Sequence, residues 1–219
     1  MIKTDINSTA EMVAAELLRI NAVFLRPDEP FTWASGIKSP IYCDNRLILS
    51  HPSARGIVEE FLALKVSKEF PGAEILLGTS TAGIAHAALA ANIMGLPMGY
   101  VRGSSKDHGR KNRIEGELKE GEKTVIIEDL ISTGGSALDA AAAAKEAGAD
   151  VLGVAAIFTY GLKEGRDAFG NAGVRLTCLS DLDALVKVAV KNKYIKAEQK
   201  NKILRFRDDP EHWYAGGKE

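Results

Sequence analysis

The chain has 219 residues, an ordinary apolar content of 46% and a formal net charge of −1. That length can bury a sizeable core, and the charge balance excludes a strongly basic nucleic-acid-coating protein. No segment approaches the ~18 apolar residues of a membrane span, and the N-terminus lacks the pattern of a secretory signal. Cys43 and Cys178 form no CxxC motif. We therefore expect free thiols, a cytoplasmic location, and neither nucleic acid nor a membrane as partner.

The first 72 residues predict a helix followed by strands and turns. Ser8-Thr9-Ala10-Glu11 fits a capping box, so we expect a helix from there to about Val23. Residues 24–46 are rich in Pro, Gly and aromatic side chains and favour strand and turn. A second helix should begin at His51-Pro52 and stop before Pro71. We interpret residues 1–72 as an N-terminal helix and a hood segment.

After residue 72, short apolar runs alternate with helical runs. Predicted strands cover 73–78, 96–102, 123–129, 151–160 and 174–180, and predicted helices cover 81–95 and 136–149. The polar, cationic stretch 103–118 has no periodicity and predicts a long loop. The residues after 180 predict helices.

Strands that are almost wholly apolar and alternate with helices predict an α/β fold with a central parallel sheet flanked by helices. We expect a single domain over 1–219, with the α/β core at 73–180 and C-terminal helices at 181–219. Ligands bind beyond the carboxyl ends of the strands in such sheets. Glu128, Asp129 and the loop after them should therefore lie at the site.

The stretch TVIIEDLISTGGS, residues 124–136, leads an apolar strand into two acids and a loop of small residues. Backbone N–H groups at such a strand–helix turn, with the helix N-terminus, suit a phosphate. Gly134 and Gly135 let the backbone approach a ligand closely. The acids can accept hydrogen bonds from vicinal sugar hydroxyls. These features predict a ribose 5-phosphate site, and the alternative is a solvated turn that merely caps a helix.

Other common phosphate and catalytic motifs are excluded. Residues 78–83 have the glycine spacing of a Walker A loop, but Ile84-Ala85 replaces its Lys-Ser/Thr. No GxGxxG follows a strand, no GxSxG occurs, and the four histidines form no metal-binding motif. The loop 79–83 either holds a second anionic group with its amides or is an ordinary strand–helix turn.

The predicted loop at 103–118 and the residue before it concentrate positive charge. The basic side chains are Arg102, Lys106, His108, Arg110, Lys111 and Arg113. Such runs are commonly solvated surface loops. The length and glycines of this one also fit a mobile lid whose cations neutralise a leaving group such as pyrophosphate. Nucleic-acid binding is the weaker alternative, because the patch is short and lacks interleaved aromatic residues.

VIIEDLISTGGS resembles the phosphoribosyl-pyrophosphate (PRPP) signature of the type I phosphoribosyltransferases. The segments FTWASGIKSPIYCDNR (31–46) and YVRGSSKDHG (100–109) are similar to the orotate-specific family among them, and the resemblance covers about residues 24–160. It implies a type I phosphoribosyltransferase-like fold with a small N-terminal hood and a mobile lid loop. It also implies Mg²⁺-dependent transfer of ribose 5-phosphate from PRPP to N1 of orotate, giving orotidine 5′-monophosphate and pyrophosphate in de novo pyrimidine synthesis. A phosphoribosyltransferase for another base and a non-catalytic PRPP-binding regulator remain alternatives.

The resemblance assigns roles at matching positions. The implied catalytic residues are Lys106, His108 and Asp129. The implied PRPP-binding residues are Arg102, Lys106, His108, Glu128, Asp129, Leu130, Ile131, Ser132, Thr133, Gly134, Gly135 and Ser136. Mg²⁺ would be held mainly by PRPP rather than by protein ligands. Lid residues would reach into a neighbour's site, which implies a homodimer with shared active sites.

Some positions depart from the best-known pattern of the family. The lysine of its FTLKSG segment is Ala34 in this chain, and an arginine that contacts the orotate carboxylate in other members aligns with Tyr160. The orotate anion therefore needs another positive partner, for which Arg46 is our hypothesis. The implied orotate-binding residues are Ser132, Tyr42, Cys43 and Arg46.

Overall fold

The computed structural model describes residues 6–33, 35–103 and 113–214. The N-terminal elements are α1 (Ile6–Arg19), β1 (Val23–Leu25), β2 (Phe31–Thr32), β3 (Lys38–Ser39), β4 (Ile41–Cys43), a 3₁₀ helix (Asn45–Ser50) and α2 (Pro52–Glu69). The remaining elements are β5 (Ile75–Thr79), α3 (Ala82–Met94), β6 (Met98–Val101), β7 (Ile114–Glu115), β8 (Lys123–Ile131), α4 (Gly135–Glu146), β9 (Asp150–Thr159), α5 (Lys163–Ala172), β10 (Leu176–Asp181), α6 (Leu182–Lys191) and α7 (Gln199–Asp208).

Six strands of the described residues form the main sheet, in the order β10-β9-β8-β5-β6-β7. All neighbours are parallel except β6 and β7, which are antiparallel. The chain runs from β5 outward to β6, then returns to β8 on the other side of β5 and continues to β9 and β10. The strand order therefore reverses between β5 and β8, the position where open parallel sheets bind ligands.

Helices cover both faces of the sheet because its central strands are apolar on both sides. In β5, Ile75 and Leu77 pack with the alanines of α4, whereas Leu76 packs on the opposite face with α2 and α3. The latter face also receives α1, α6 and α7, so a single buried cluster joins both ends of the chain to the sheet. Members of that cluster from the five helices include Leu17, Leu62, Ala90, Leu185 and Phe206.

Within the hood segment, residues 23–50 form two small antiparallel pairs and the 3₁₀ helix. β1 pairs with β4, and β2 pairs with β3. This region is mostly strand and turn, as the Pro, Gly and aromatic content predicted. None of the helices in the described ranges is both long and apolar enough to cross a lipid bilayer.

The helix-flanked, mostly parallel sheet confirms the predicted fold class, but several boundaries differ. β8 runs two residues beyond Asp129, because its pairing with β9 continues to Ile131 and Thr159. The capping box is wrong, since α1 begins at Ile6 and Ser8 lies inside its first turn. The stretch 103–118, predicted as a loop, contains β7, which pairs with β6. The helix α5 was not predicted.

Candidate active site

A cavity of about 350 Å³ opens at the carboxyl ends of β5 and β8, where the strand order reverses. We call it the central cavity. Five segments meet there: the end of β4, the start of the 3₁₀ helix, the loop between β5 and α3, the end of β8 and the start of α4. Its walls are Cys43, Asp44, Arg46, Ser80, Thr81, Ala82, Glu128, Asp129, Leu130 and Ser136.

Glu128 lies at the base of the central cavity and is 5% exposed. Its Oε1 accepts hydrogen bonds from the hydroxyl of Thr79 at 2.7 Å and from the backbone N–H of Asp129 at 3.0 Å. Its Oε2 accepts one from the hydroxyl of Ser136 at 2.9 Å. A single carboxylate thus joins the ends of β5 and β8 to the first turn of α4.

The electrostatics of Glu128 follow from this placement. Burial raises the pKa of its carboxyl from 4.5 to about 7, and the neighbouring Asp129 raises it as well. The hydroxyls of Thr79 and Ser136 act in the opposite direction, because they donate hydrogen bonds that favour the charged form. Glu128 therefore changes its protonation state near neutral pH.

Asp129 is half-buried and is held through its backbone. The side-chain amide of Asn45 donates a hydrogen bond to the Asp129 carbonyl oxygen at 2.7 Å. Asn45 in turn accepts a hydrogen bond from the thiol of Cys43 at 3.2 Å. Burial is the main cause that raises the pKa of Cys43 well above its usual value, so this thiol stays protonated as a donor. The hood segment therefore fixes the strand that carries both acids.

The loop 132–136 connects β8 to α4 and presents the N-terminus of that helix. Gly134 adopts φ +84°, and a Cβ there would lie 2.6 Å from the ring of Phe169 in α5, so only glycine fits. No side chain in the described ranges caps α4, and the Ser136 hydroxyl is directed to Glu128 instead. The first amides of α4 are therefore left for an external acceptor, as at anion-binding helix N-termini.

The loop between β5 and α3 brings a second helix N-terminus to the same cavity through Thr81 and Ala82. The strand and helix on either side of this loop pack closely: a Cβ on Gly78 of β5 would lie 2.7 Å from the carbonyl oxygen of Gly83 in α3. The Ser80–Thr81 peptide bond is cis. Two positively polarised helix ends thus flank one pair of acids, an arrangement that suits a ligand with anionic groups at both ends and hydroxyls between them.

A second cavity, of about 690 Å³, adjoins the same loop, and Ser132 and Thr133 form part of its wall. Trp33 and Ile37 of the hood segment and Leu162 supply its apolar side. The predicted substrate residues are therefore divided between two neighbouring cavities. Leu130 lines the central cavity. The side chain of Ile131 is buried in the core, and its carbonyl oxygen accepts hydrogen bonds from Tyr160 and Thr159.

The predicted orotate-binding residues occupy different environments. Cys43 and Arg46 line the central cavity, where the guanidinium of Arg46 makes a bidentate ion pair with Asp44 at 2.7 and 2.9 Å. This hydrogen bonding is the main cause that lowers the pKa of Asp44. Tyr42 is exposed and its ring lies 5.7 Å from that of Phe31.

Of the predicted lid residues, Arg102 is described and Lys106 and His108 lie outside the described residues. Arg102 follows β6 and forms an ion pair with Glu115 at 3.3 Å. Its carbonyl oxygen accepts hydrogen bonds from the guanidinium of Arg113, which also pairs with Asp139 of α4. The base of the predicted lid is thus connected to β7 and α4.

Thr79 and Asn45 were assigned no individual role from the sequence, although Thr79 begins the loop 79–83 that was considered as an anion site. Both are polar and almost fully buried, at 3% and 0% exposure. Thr79 ends an otherwise apolar run, and Asn45 stands between two charged residues. Thr79 could have been identified as a polar residue at the end of a buried strand. No comparable feature of the sequence pointed to Asn45.

Comparison with known proteins tests the resemblance directly. The phosphoribosyl transferase domain family matches residues 48–175. The chain is 52% identical to the orotate phosphoribosyltransferase of Enterococcus faecalis over 93% of its own length and 97% of that protein. The chain belongs to the orotate phosphoribosyltransferase family. Membership makes it a pentosyltransferase and confirms both the resemblance and the fold read from the PRPP signature.

Solved structures of this family share the fold. The orotate phosphoribosyltransferase of Aeropyrum pernix superimposes with a TM-score of 0.72 at 25% identity, over 84% of this chain and 99% of that one. The UMP synthase of Leishmania donovani gives a TM-score of 0.76 at 27% identity over 91% of this chain. The match spans only 42% of that longer chain, so this chain corresponds to a part of it.

Proposed function

We propose that the protein transfers ribose 5-phosphate from PRPP to N1 of orotate, producing orotidine 5′-monophosphate and pyrophosphate for de novo pyrimidine synthesis. The observation that carries this proposal is the central cavity, where the N-termini of α3 and α4 flank Glu128 and Asp129. PRPP has the matching order of groups, a phosphate, a diol and a diphosphate. The family to which the chain belongs is named for the same reaction.

In this proposal, PRPP lies across the end of the sheet. Its 5′-phosphate is bound by residues 132–136 and the N-terminus of α4. Asp129 accepts one ribose hydroxyl, and Glu128 accepts the other at the acceptor position that its three internal hydrogen bonds leave. The diphosphate lies at the loop 80–83 with Arg102, Lys106 and His108. Leu130, in the wall of the central cavity, completes the ribose side.

Orotate lies next to Ser132 and to the backbone of Tyr42 and Cys43. Arg46 is the proposed partner of the orotate carboxylate, and it would share its charge between that group and Asp44. Replacement of Arg46 by alanine should raise the KM for orotate more than the KM for PRPP. An unchanged KM for orotate would remove this role.

The chemistry needs charge stabilisation more than a strong base. The C1–O bond of PRPP breaks ahead of attack by orotate N1, which arrives deprotonated, and the electron pair of that bond leaves with pyrophosphate. Lys106 and Arg102 neutralise the leaving group, and His108 donates a hydrogen bond or a proton to it. Asp129 holds the ribose and stabilises the cationic sugar. Closure of the lid would exclude water from that cation.

Mg²⁺ is part of the proposal and would arrive bound to the diphosphate and ribose oxygens of PRPP. When bound, it supplies further neutralisation of the leaving group. A cation that keeps its waters and takes its ligands from the substrate would need few ligands from the protein.

We also propose a homodimer in which the lid of one subunit completes the site of the other, and a cytoplasmic location. Mixed dimers of Lys106→Ala and Asp129→Asn subunits test the first point. Shared sites predict that mixing restores activity, because one of the two sites then receives an intact lid and an intact acid. Mixtures that remain as inactive as either parent would argue for sites built within single chains.

The decisive experiment measures the loss of orotate absorbance when PRPP and Mg²⁺ are added. Asp129→Asn should abolish the reaction, while Asp150→Asn, which changes an exposed acid at the opposite end of the sheet, should leave it unchanged. A substrate panel with uracil and purine bases tests the base specificity. PRPP binding without pyrophosphate release on any base would contradict an enzymatic function.

A further inference from the structure

Thr79 is the last residue of β5, at the point where the strand order reverses. Its hydroxyl lies 2.7 Å from Oε1 of Glu128 and 3.3 Å from the carbonyl oxygen of Ile127. Because both Thr79 and Glu128 are almost fully buried, water does not compete for this contact. The proposed chemistry gives Thr79 no role, and the PRPP signature does not include it.

The backbone next to Thr79 is shaped to keep its hydroxyl in place. A Cβ atom on Gly83 would meet both Thr79 Oγ1 and the Ile127 carbonyl at a distance that real Cβ atoms do not reach. Gly83 opens the first turn of α3, whose preceding residues line the central cavity. The hydroxyl is therefore enclosed between β5, β8 and α3.

The hydrogen bonds of Glu128 show what the hydroxyl controls. An ionised carboxylate offers about four acceptor positions. Thr79 and the Asp129 amide occupy both positions on Oε1, and Ser136 occupies one on Oε2. The remaining position is on Oε2, next to Ser136 in the cavity wall. Rotation of the carboxylate would break both contacts of Oε1, so the orientation of Oε2 depends on Thr79.

We propose that Thr79 is a positioning residue for sugar binding: its hydroxyl holds Glu128 so that Oε2 faces a ribose hydroxyl of PRPP. This inference rests on the proposed function, because it needs a sugar at the cavity. If Thr79 had only a structural role, Thr79→Val would lower stability by the loss of one hydrogen bond and would leave the pKa of Glu128 and PRPP binding unchanged. A positioning role predicts that the hydroxyl itself, not the volume of the side chain, sets the behaviour of Glu128.

The protonation of Glu128 gives the role a signature. When Glu128 is ionised, its Oε2 can accept a hydrogen bond from a ribose hydroxyl. PRPP binding should therefore weaken as pH falls through the pKa of about 7 and Glu128 becomes protonated. Loss of the Thr79 hydroxyl removes a donor that favours the charged form, which raises that pKa further. The titratable groups of the surrounding elements are Asp129, the Asp44–Arg46 pair, His86 with Glu59, and Asp139 with Arg113.

The test compares Thr79→Val with Thr79→Ser, which keeps the hydroxyl, and with Thr124→Val. Thr124 is also fully buried and donates to a backbone carbonyl, but at the amino end of β8. The measurement is kcat/KM for PRPP as a function of pH. Thr79→Val should move the acidic limb upward by about one pH unit. Thr79→Ser should restore the wild-type profile, and Thr124→Val should lose stability without moving the limb.

A second measurement does not depend on activity. The carboxyl of Glu128 is titrated by NMR in protein labelled with ¹³C-glutamate, and its signal is assigned by its absence in Glu128→Gln. Its pKa should be higher in Thr79→Val than in the wild type, and Thr79→Ala serves if the valine variant does not fold. An unchanged titration overturns the proposal. A different outcome would be a raised pKa of Glu128 in Thr79→Val together with no orotate turnover by the wild-type protein. That outcome would remove the proposed function but leave the contact between Thr79 and Glu128 established.

Discussion

The side-chain amide of Asn45 donates a 2.7 Å hydrogen bond to the main-chain carbonyl of Asp129, 84 residues further along the chain. Asn45 begins the 3₁₀ helix of the hood segment and is fully buried. Asp129 belongs to β8, beside the reversal of strand order. The acid proposed to bind the ribose is thus positioned through its backbone by the N-terminal part of the chain.

Replacement of Asn45 by alanine should therefore reduce both stability and activity. The Asp129 carbonyl would lose its buried donor, at a cost of about 1–3 kcal/mol in the free energy of unfolding. A displaced Asp129 should lower kcat/KM for PRPP by about tenfold or more. Asn92→Ala, on the exposed side of α3, is the matched control and should change neither quantity. Urea titration and steady-state kinetics measure the two effects, and wild-type kcat/KM in Asn45→Ala would contradict the positioning role.

Glu128 should limit stability above neutral pH. Its pKa is raised from 4.5 to about 7 on folding, so the folded chain binds this proton more tightly than the unfolded chain does. The resulting stabilisation is complete below the unfolded pKa and is lost as pH rises through about 7. Above that pH, a buried charge remains in the folded protein.

Glu128→Gln should consequently raise stability while it lowers activity. Glutamine keeps an acceptor for Thr79 and avoids the buried charge, so we expect a gain on the order of 2 kcal/mol above pH 7 and none below pH 4.5. Activity should fall because the amide is a poorer acceptor for a ribose hydroxyl. Thermal unfolding across this pH range measures the gain. Glu117→Gln, at an exposed position, should show no such pH dependence, and a glutamine variant that is less stable at high pH would refute the electrostatic account.

Replacement of glycine by alanine should change the free energy of unfolding in opposite directions at two helix positions. Gly56 of α2 has open space where a Cβ would be, so Gly56→Ala should stabilise the protein by about 0.5–1 kcal/mol. Gly83→Ala would place a methyl group against Thr79 and the Ile127 carbonyl, and should destabilise by about 1–3 kcal/mol and raise the KM for PRPP. Chemical denaturation of both variants tests this. Equal stabilisation by both would show that α3 is not packed as closely as described.

The fold class was predictable because short, almost wholly apolar runs alternate with helical runs along the chain. The strands at 75–79 and 123–131 and the helix at 135–146 depend on local pattern, and all three were found within a few residues of the expected limits. Ser8 shows where local pattern fails: its motif fits a helix cap, but α1 begins two residues earlier, at Ile6.

The candidate site was only partly predictable for a related reason. Glu128 and the loop after it lie within one contiguous motif, so their proximity is fixed by the chain itself. Asn45 and Thr79 join the site by contacts across many residues, and such pairs depend on the order of strands in the sheet. The ion pair of Arg46 with Asp44 was equally invisible, since two neighbouring charges in sequence do not determine whether their side chains meet.

A buried pair between α2 and α3 should contribute strongly to stability. Oε1 of Glu59 lies 2.5 Å from Nδ1 of His86, and the two side chains are 2% and 0% exposed. Within the described residues, Oε2 of Glu59 and Nε2 of His86 have no hydrogen-bond partner, so each group relies on the other. His86 lies one turn beyond the residues of α3 that line the central cavity, and the pair therefore fixes that helix to α2.

Glu59→Ala should cost about 1–3 kcal/mol of unfolding free energy, because it leaves a buried polar nitrogen of His86 without its partner. Glu60→Ala, at the exposed neighbouring position, should change stability by less than about 0.5 kcal/mol. The double variant Glu59→Leu with His86→Leu should recover much of the loss, since replacing both partners with apolar groups leaves no polar atom unsatisfied. A double-mutant cycle from urea denaturation measures the coupling. Additive losses would mean that the two side chains stabilise the helices independently, by packing rather than through their contact.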